Sequence, residues 1–367
     1  MIPAPSPDTK ALQYFESLES MEGLVAAQPS AAPSRLAWAF RLDLLRALYP
    51  GVLAAGVIGL AATWLSQTYH APVMLFALLI GMAFHFLHEE GPCRVGIEFS
   101  SRAILRFGVA LLGLRITTSQ IMGLGAAPIL MVCAGVATTC LFGWLLGQRL
   151  GLGRYFGILS GGAVAICGAS AALAISTSLP QYAHKERDTV LTVVVVTSLS
   201  TIAMVLYPML VAGLHLSHVE AGLFLGGTIH DVAQVVGAGY MVSPETGDIA
   251  TYVKLLRVAA LIPVVASISF LAMDKGASGA RLARAFPFFL VGFAVLVALN
   301  SALSLPDALT GTASAVSSWC LVTAISALGM KTSFRSVFAA GWRPMGLMVA
   351  ETVWIAALVL ASIALLR

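Results

Sequence analysis

Ser160-Gly161-Gly162-Ala163-Val164-Ala165-Ile166-Cys167-Gly168-Ala169-Ser170-Ala171-Ala172 carries no charge and places three glycines within eight positions. It lies inside an apolar run long enough to reach across a bilayer, yet each glycine costs a helix about 1 kcal/mol. The stretch therefore predicts a membrane helix that breaks near mid-depth. Freed backbone groups find no water in hydrocarbon, so a break persists only where it lines a cavity or packs in protein. It also exposes N–H groups and the positive end of a helix dipole, which favour an anion. Ser160, Gly161, Gly162, Cys167, Gly168 and Ser170 are accordingly candidate substrate-binding residues. Close helix packing through small residues is the competing account.

The surrounding chain has the composition of a membrane protein. Of 367 residues, 59% are hydrophobic and 10% charged, with a mean hydropathy of +0.91. Soluble domains are about a quarter charged, so an ordinary cytosolic enzyme is excluded. Apolar runs place about eleven spans near 48–66, 72–88, 99–117, 123–147, 155–179, 189–213, 217–242, 251–273, 286–303, 309–330 and 345–366. The fold class is an all-α polytopic membrane protein, with a transmembrane domain at 47–367 and a polar arm at 1–46. The short connections leave no room for a soluble catalytic domain. With the N-terminus cytoplasmic, 15 of the 21 Lys and Arg fall inside and six outside, among them Lys185 and Arg187. That satisfies the positive-inside rule and places the C-terminus outside. The basic residues read as loop placement, not nucleic-acid binding. Four of the five cysteines sit in apolar segments and read as small buried residues.

An odd span count suggests two five-helix units, at about 72–213 and 217–366, related by inversion. An offset of 151 carries Leu105-Arg106 onto Leu256-Arg257, and Ser160-Gly161-Gly162-Ala163 onto Gly311-Thr312-Ala313-Ser314. The tenth span would then break opposite the fifth, adding Ser314 to the anion site.

The seventh span contains Gly226-Gly227-Thr228-Ile229-His230-Asp231-Val232-Ala233-Gln234. Ionisable groups inside a membrane are costly and mark function. His230 titrates near neutral pH when unperturbed, and it shares a helix face with Gln234. His230, Asp231 and Gln234 are the candidate ion-coupling residues. Arg106 and Arg257 supply charge for an oxyanion through their planar forks, whereas Arg102 and Lys254 read as snorkelling to headgroups. Glu351 reads as structural, paired with a cytoplasmic arginine. His85 and His88 lack the further ligands a metal needs.

The stretches GGAVAICGASAALA at 161–174, GGTIHDVAQVVGAG at 226–239, KLLRVAALIPV at 254–264, PFFLVGFAVLVALNS at 287–301, ALGMKTSF at 327–334 and GLR at 113–115 resemble the YeiH-type family of bacterial inner-membrane proteins, described as sulfate exporters. That family commonly has Glu where this chain has Asp231. The resemblance implies a distant likeness to sodium–proton antiporters, with two inverted five-helix units and crossed broken helices.

Residues and resemblance together lead to an expectation. The chain is a secondary transporter in the inner membrane that exports a small oxyanion, sulfate first, coupled to protons or sodium, without cofactor or metal and capable of forming a homodimer. Carriage of a sulfonate or other organic anion, and cation–proton antiport through Asp231, are the alternatives. An enzyme built on His230, Asp231 and Cys167 is disfavoured because adjacent helical residues point apart, and a channel is a further rival. No G-x-x-x-x-G-K-[ST] motif occurs, which argues against ATP as driver.

Overall fold

A computed structural model describes residues 36–89, 91–271, 288–303, 306–332 and 341–366. Residues 1–35 of the polar arm lie outside them, as do Lys10, Arg35, Lys275, Arg281, Arg284, Arg335 and Arg367. Among the described residues the fold is helical throughout. Six helices are long and apolar enough to cross a membrane: Leu45–Tyr69, Ala127–Arg149, Lys185–Gly213, Pro244–Ile268, Leu309–Lys331 and Trp342–Leu365.

The helices group into two bodies. The first contains α1 (Leu36–Tyr69), α2 (Val73–Ala83), α3 (Arg94–Phe99) continued through a π-helical turn (Ser100–Ile104) into α4 (Leu105–Leu112), and, later in the chain, Phe288–Leu303 and Asp307–Lys331. The second contains α5 (Ala127–Arg149), α6 (Arg154–Ala165), α7 (Ala169–Ser178), α8 (Lys185–Gly213), α9 (His218–Thr228), α10 (Val232–Val242), α11 (Pro244–Ala259) and α12 (Leu261–Leu271). Phe288–Leu303 is α13, Asp307–Lys331 is α14, and Trp342–Leu366 is α15, which packs with the second body. The main contact between the bodies runs through α10, which lies against α2 and α14. At one end a polar contact adds to it. Arg115 Nη2 lies 3.5 Å from Asp248 Oδ2, its guanidinium sits over the Tyr240 ring at 5.7 Å, and the Tyr240 hydroxyl donates to Asp248.

The break in the first glycine-rich stretch is present, but it turns the chain around. α6 ends at Ala165 and α7 begins at Ala169, with Gly168 at φ +69° between them. A Cβ added to Gly162 would overlap the Ile175 side chain, and the rings of Tyr155 and Tyr182 stack at 5.3 Å. At 1.5 Å per residue a straight helix would separate those rings by about 40 Å. α6 and α7 are therefore the two arms of a helical hairpin. Segment 218–242 does the same from the other end. α9 stops at Thr228, α10 starts at Val232, and both Gly226 and Gly239 pack against Ala250 of α11. The chain is back beside its starting point four residues after α10, where Thr246 Oγ1 donates to His218 O at 3.1 Å. Arms of 10 to 12 residues reach about 15–18 Å, half of a bilayer core.

This corrects three expectations. The segments at 155–179 and 217–242 each return to the end they left, so the eleven-span count does not hold. The stretch Gly311–Ser318 lies inside the continuous α14, so the tenth span is unbroken and the partner of the first break is at 229–231. The offset of 151 relates residues in unlike settings, with Arg106 exposed and Arg257 buried. The units at 72–213 and 217–366 are therefore not structural repeats. Inversion persists in another form, as two hairpins inserted from opposite ends on either side of α8.

Cysteines replacing Tyr155 and Tyr182 in a background free of other cysteines should both react with an impermeant thiol reagent from the same membrane face. They should also cross-link to each other on mild oxidation. Labelling from opposite faces would restore the straight broken helix.

Candidate functional site

The two hairpin tips meet inside the second body. A Cβ on Gly168 would lie 3.7 Å from the Cβ of His230. Each tip ends one helix and begins another, so it carries carbonyls without intrahelical donors and amides without acceptors. In an apolar interior both sets need partners.

The carbonyls are met by two cations from α11. Lys254 Nζ donates to Ile166 O at 2.6 Å and Ile229 O at 3.0 Å. Arg257 donates from Nε to Ala165 O at 2.9 Å, from Nη2 to Val164 O at 2.8 Å, and from Nη1 to Gly226 O at 3.2 Å and Ile229 O at 3.0 Å. Both tips are thus held by the same pair of side chains, 0% and 1% exposed. Cations suit the negative ends of α6 and α9. Lys254 does not snorkel, and Arg257 spends its fork on backbone; both readings from sequence are corrected. The spacing i, i+3 puts the two on one face of α11, which is why they act together.

The amides face elsewhere. Asp231 caps α10, its Oδ1 accepting from Ala233 N at 2.8 Å. The N–H groups of His230 and Asp231 donate to Ser200 Oγ of α8 at 3.2 and 3.0 Å. At the start of α7, Ala169 and Ser170 are half-buried, as are Asp231 and Val232, while residues 160–168 and 226–230 are buried. The tips therefore open where α7 and α10 begin, with the positive ends of both helices at the opening.

His230 is fully buried. Its Nδ1 shares a hydrogen bond with Val164 O at 3.0 Å and its Nε2 with Thr352 Oγ1 at 3.0 Å, so it fastens one tip to the other and both to α15. Gln234 Nε2 donates to Thr201 Oγ1 at 2.8 Å, and its buried Oε1 has no partner. The ring of His230 and the amide of Gln234 thus hold different elements.

The remaining candidates divide. Gly168 and Cys167 form the first tip, and Ser170 stands at its opening. Gly161 and Gly162 serve packing, since a Cβ on Gly161 would lie 3.0 Å from Thr139 O and one on Gly162 would overlap Ile175. Ser160 is not at the opening; its hydroxyl donates to Glu351 Oε1 at 2.7 Å. Glu351 therefore has a serine for a partner, not the expected arginine. Ser314 is half-buried on α14, its carbonyl accepting from Ser318 Oγ. Arg106 is exposed, with its guanidinium 5.9 Å from the centre of the Phe289 ring. Neither supplies a group to the tips. Ser200, Thr201 and Thr352 carry no distinguishing signal in the sequence, because hydroxyls in apolar helices usually bond their own backbone. Glu351 was visible as an acid in an apolar span, a signal that marks function by default.

A family profile described as conserved hypothetical protein 698 matches residues 50–348. The chain belongs to that family. Its relatives include a UPF0324 membrane protein of Chlorobaculum tepidum, 53% identical over 318 residues, which are 86% of this chain and 89% of the relative. The UPF0324 membrane protein TauZ of Paracoccus denitrificans is 47% identical over 320 residues, covering 86% and 95%. A UPF0324 protein of Rhizobium meliloti is 48% identical over 316 residues, covering 85% and 92%. Membership is consistent with the resemblance to YeiH-type proteins, and it makes this a UPF0324 membrane protein. No solved structure matches the chain.

Arg257→Ala should strip donors from four carbonyls and lower stability by about 3–5 kcal/mol, read as a fall in Tm of the detergent-purified protein. Arg106→Ala, on the exposed face, should stay within about 0.5 kcal/mol of wild type.

Proposed function

We propose that this UPF0324 protein is a secondary transporter that exports a small oxyanion, sulfate being the named candidate. One observation carries the proposal: two helical hairpins enter from opposite ends and meet, opening at the N-termini of α7 and α10. Interrupted helices whose N-termini point at an anionic group are a recurrent device of secondary transporters. The charge balance supports an anion, because Lys254 and Arg257 stand behind the tips and Asp231 is the acid at the opening. Ser170 and the first-turn amides of α7 and α10 would hold the oxyanion. The second body, carrying both hairpins, would move against the first across the seam formed by α10, α2 and α14.

In this reading nine helical passages cross the bacterial inner membrane and two hairpins enter it. Folding 155–179 back places Lys185 and Arg187 at the end that also carries Arg94, Arg149, Arg154, Lys331 and Arg343, which is the cytoplasmic end by the positive-inside rule. The N-terminus is cytoplasmic and the C-terminus periplasmic. Asp231 shares the opening with the anion, so an ion taken up there, a proton or sodium, relieves the repulsion and couples the two movements.

Radiolabelled sulfate flux in proteoliposomes under an imposed pH gradient tests the proposal. Wild type should accumulate sulfate, and Asp231→Asn should lose at least tenfold of the gradient-driven component. Ser170→Ala removes one hydroxyl worth about 1 kcal/mol and should raise the half-saturating sulfate concentration about fivefold. Folded wild-type protein without sulfate counterflow would remove sulfate as the substrate.

A further inference from the structure

The cluster around Glu351 is not used by any step above. Its side chain is fully buried on α15, in a span that is apolar on both sides of it. Ser160 Oγ donates to Oε1 at 2.7 Å, and Oε2 has no hydrogen-bond partner. The space is made by Gly143 of α5, where a Cβ would come 2.5 Å from Oε1. A buried carboxylate kept for structure meets a cation or several donors. Among the described residues Glu351 forms no ion pair, and the donors of Lys254 and Arg257 go to the tip carbonyls.

The groups facing it are few. From α5 the titratable neighbour is Cys140, and from α6 the neighbour is the Ser160 hydroxyl. α8 and α9 also pack on α15, and among the described residues they present no charged or titratable side chain to it. The next residue, Thr352, bonds His230 Nε2, and His230 Nδ1 bonds Val164 O. Glu351 is therefore one residue along α15 from a chain of hydrogen bonds that ends in the first hairpin tip.

We propose that Glu351 is a proton-binding site, a second acid besides Asp231 and set apart from the hairpin opening. The proton resides on Oε2, the oxygen without a partner, while Oε1 keeps the Ser160 hydroxyl. Losing it leaves a carboxylate held by one hydroxyl, a state that α15 relieves by shifting against α5 and α6. Because α15 also holds His230 through Thr352, that shift reaches the tips. The link to transport rests on the carrier reading, whereas proton binding itself does not.

Two measurements on the full-length protein separate these. Infrared difference spectra of purified protein across a pH range should contain a titrating carboxylic-acid carbonyl band that persists in Asp231→Asn and vanishes in Glu351→Gln. In proteoliposomes, protons moved per sulfate, read with a pH dye and radiolabelled sulfate, should fall by one in Glu351→Gln. Identical spectra for wild type and Glu351→Gln overturn the proton site, whatever sulfate does. An unchanged proton-to-sulfate ratio overturns its part in coupling. A band that behaves as expected in protein that moves no sulfate upholds the site and removes sulfate as the substrate. If Glu351→Gln does not fold, Ser160→Ala carries the test: the midpoint of the band should move by about half a pH unit or more, and an unmoved midpoint overturns the proposal.

Discussion

Six hydrogen bonds from Lys254 and Arg257 to five backbone carbonyls hold the centre of this molecule together. A helix that turns back in an apolar interior strands its last carbonyls, and water is not there to meet them. α11 brings an ammonium and a guanidinium to that place, and the fixed fork of Arg257 reaches four carbonyls, two on each tip. Removing the cations would leave the hairpins without a reason to stop where they do. Removing the hairpins would leave two unneutralised charges among hydrocarbon side chains. Neither half of the arrangement is stable without the other.

That pairing also decides what the opposite ends of the tips are available for. With the carbonyl ends of α6 and α9 saturated from behind, the amide ends of α7 and α10 lie forward, at the part of the tips that is not sealed. Asp231 takes the amide of Ala233 for itself, and Ser200 accepts from the N–H groups of His230 and Asp231. The opening therefore holds a carboxylate beside positive helix ends. His230 lies between the tips as a brace, with both ring nitrogens occupied.

Much of this was legible in the sequence. The membrane character, the break near Gly168 and the weight placed on 226–237 follow from glycine cost and from intramembrane ionisable groups. What composition cannot convey is the direction of the chain after a break, since a kink and a reversal free the same backbone groups. One clue was present. Treating 155–179 as a crossing strands Lys185 and Arg187 on the outer face, and folding it back returns both to the basic end. Gly311–Ser318 is as rich in small residues as 160–170 and so resembles a partner for the first break, yet α14 uses that surface without breaking. Arg106 and Arg257 look alike in sequence and differ because one helix faces outward there and the other is enclosed on all sides.

The distance along the chain between a tip and its anchor has a consequence for synthesis. Val164 and Arg257 are 93 residues apart, and at about 5–20 residues per second the first hairpin is made roughly 5–20 s before its guanidinium emerges. Arms this short are poor candidates for independent insertion. The carbonyls of the first tip therefore lack the donors of Arg257 until α11 has been made. Closure of the centre accordingly follows the synthesis of α11.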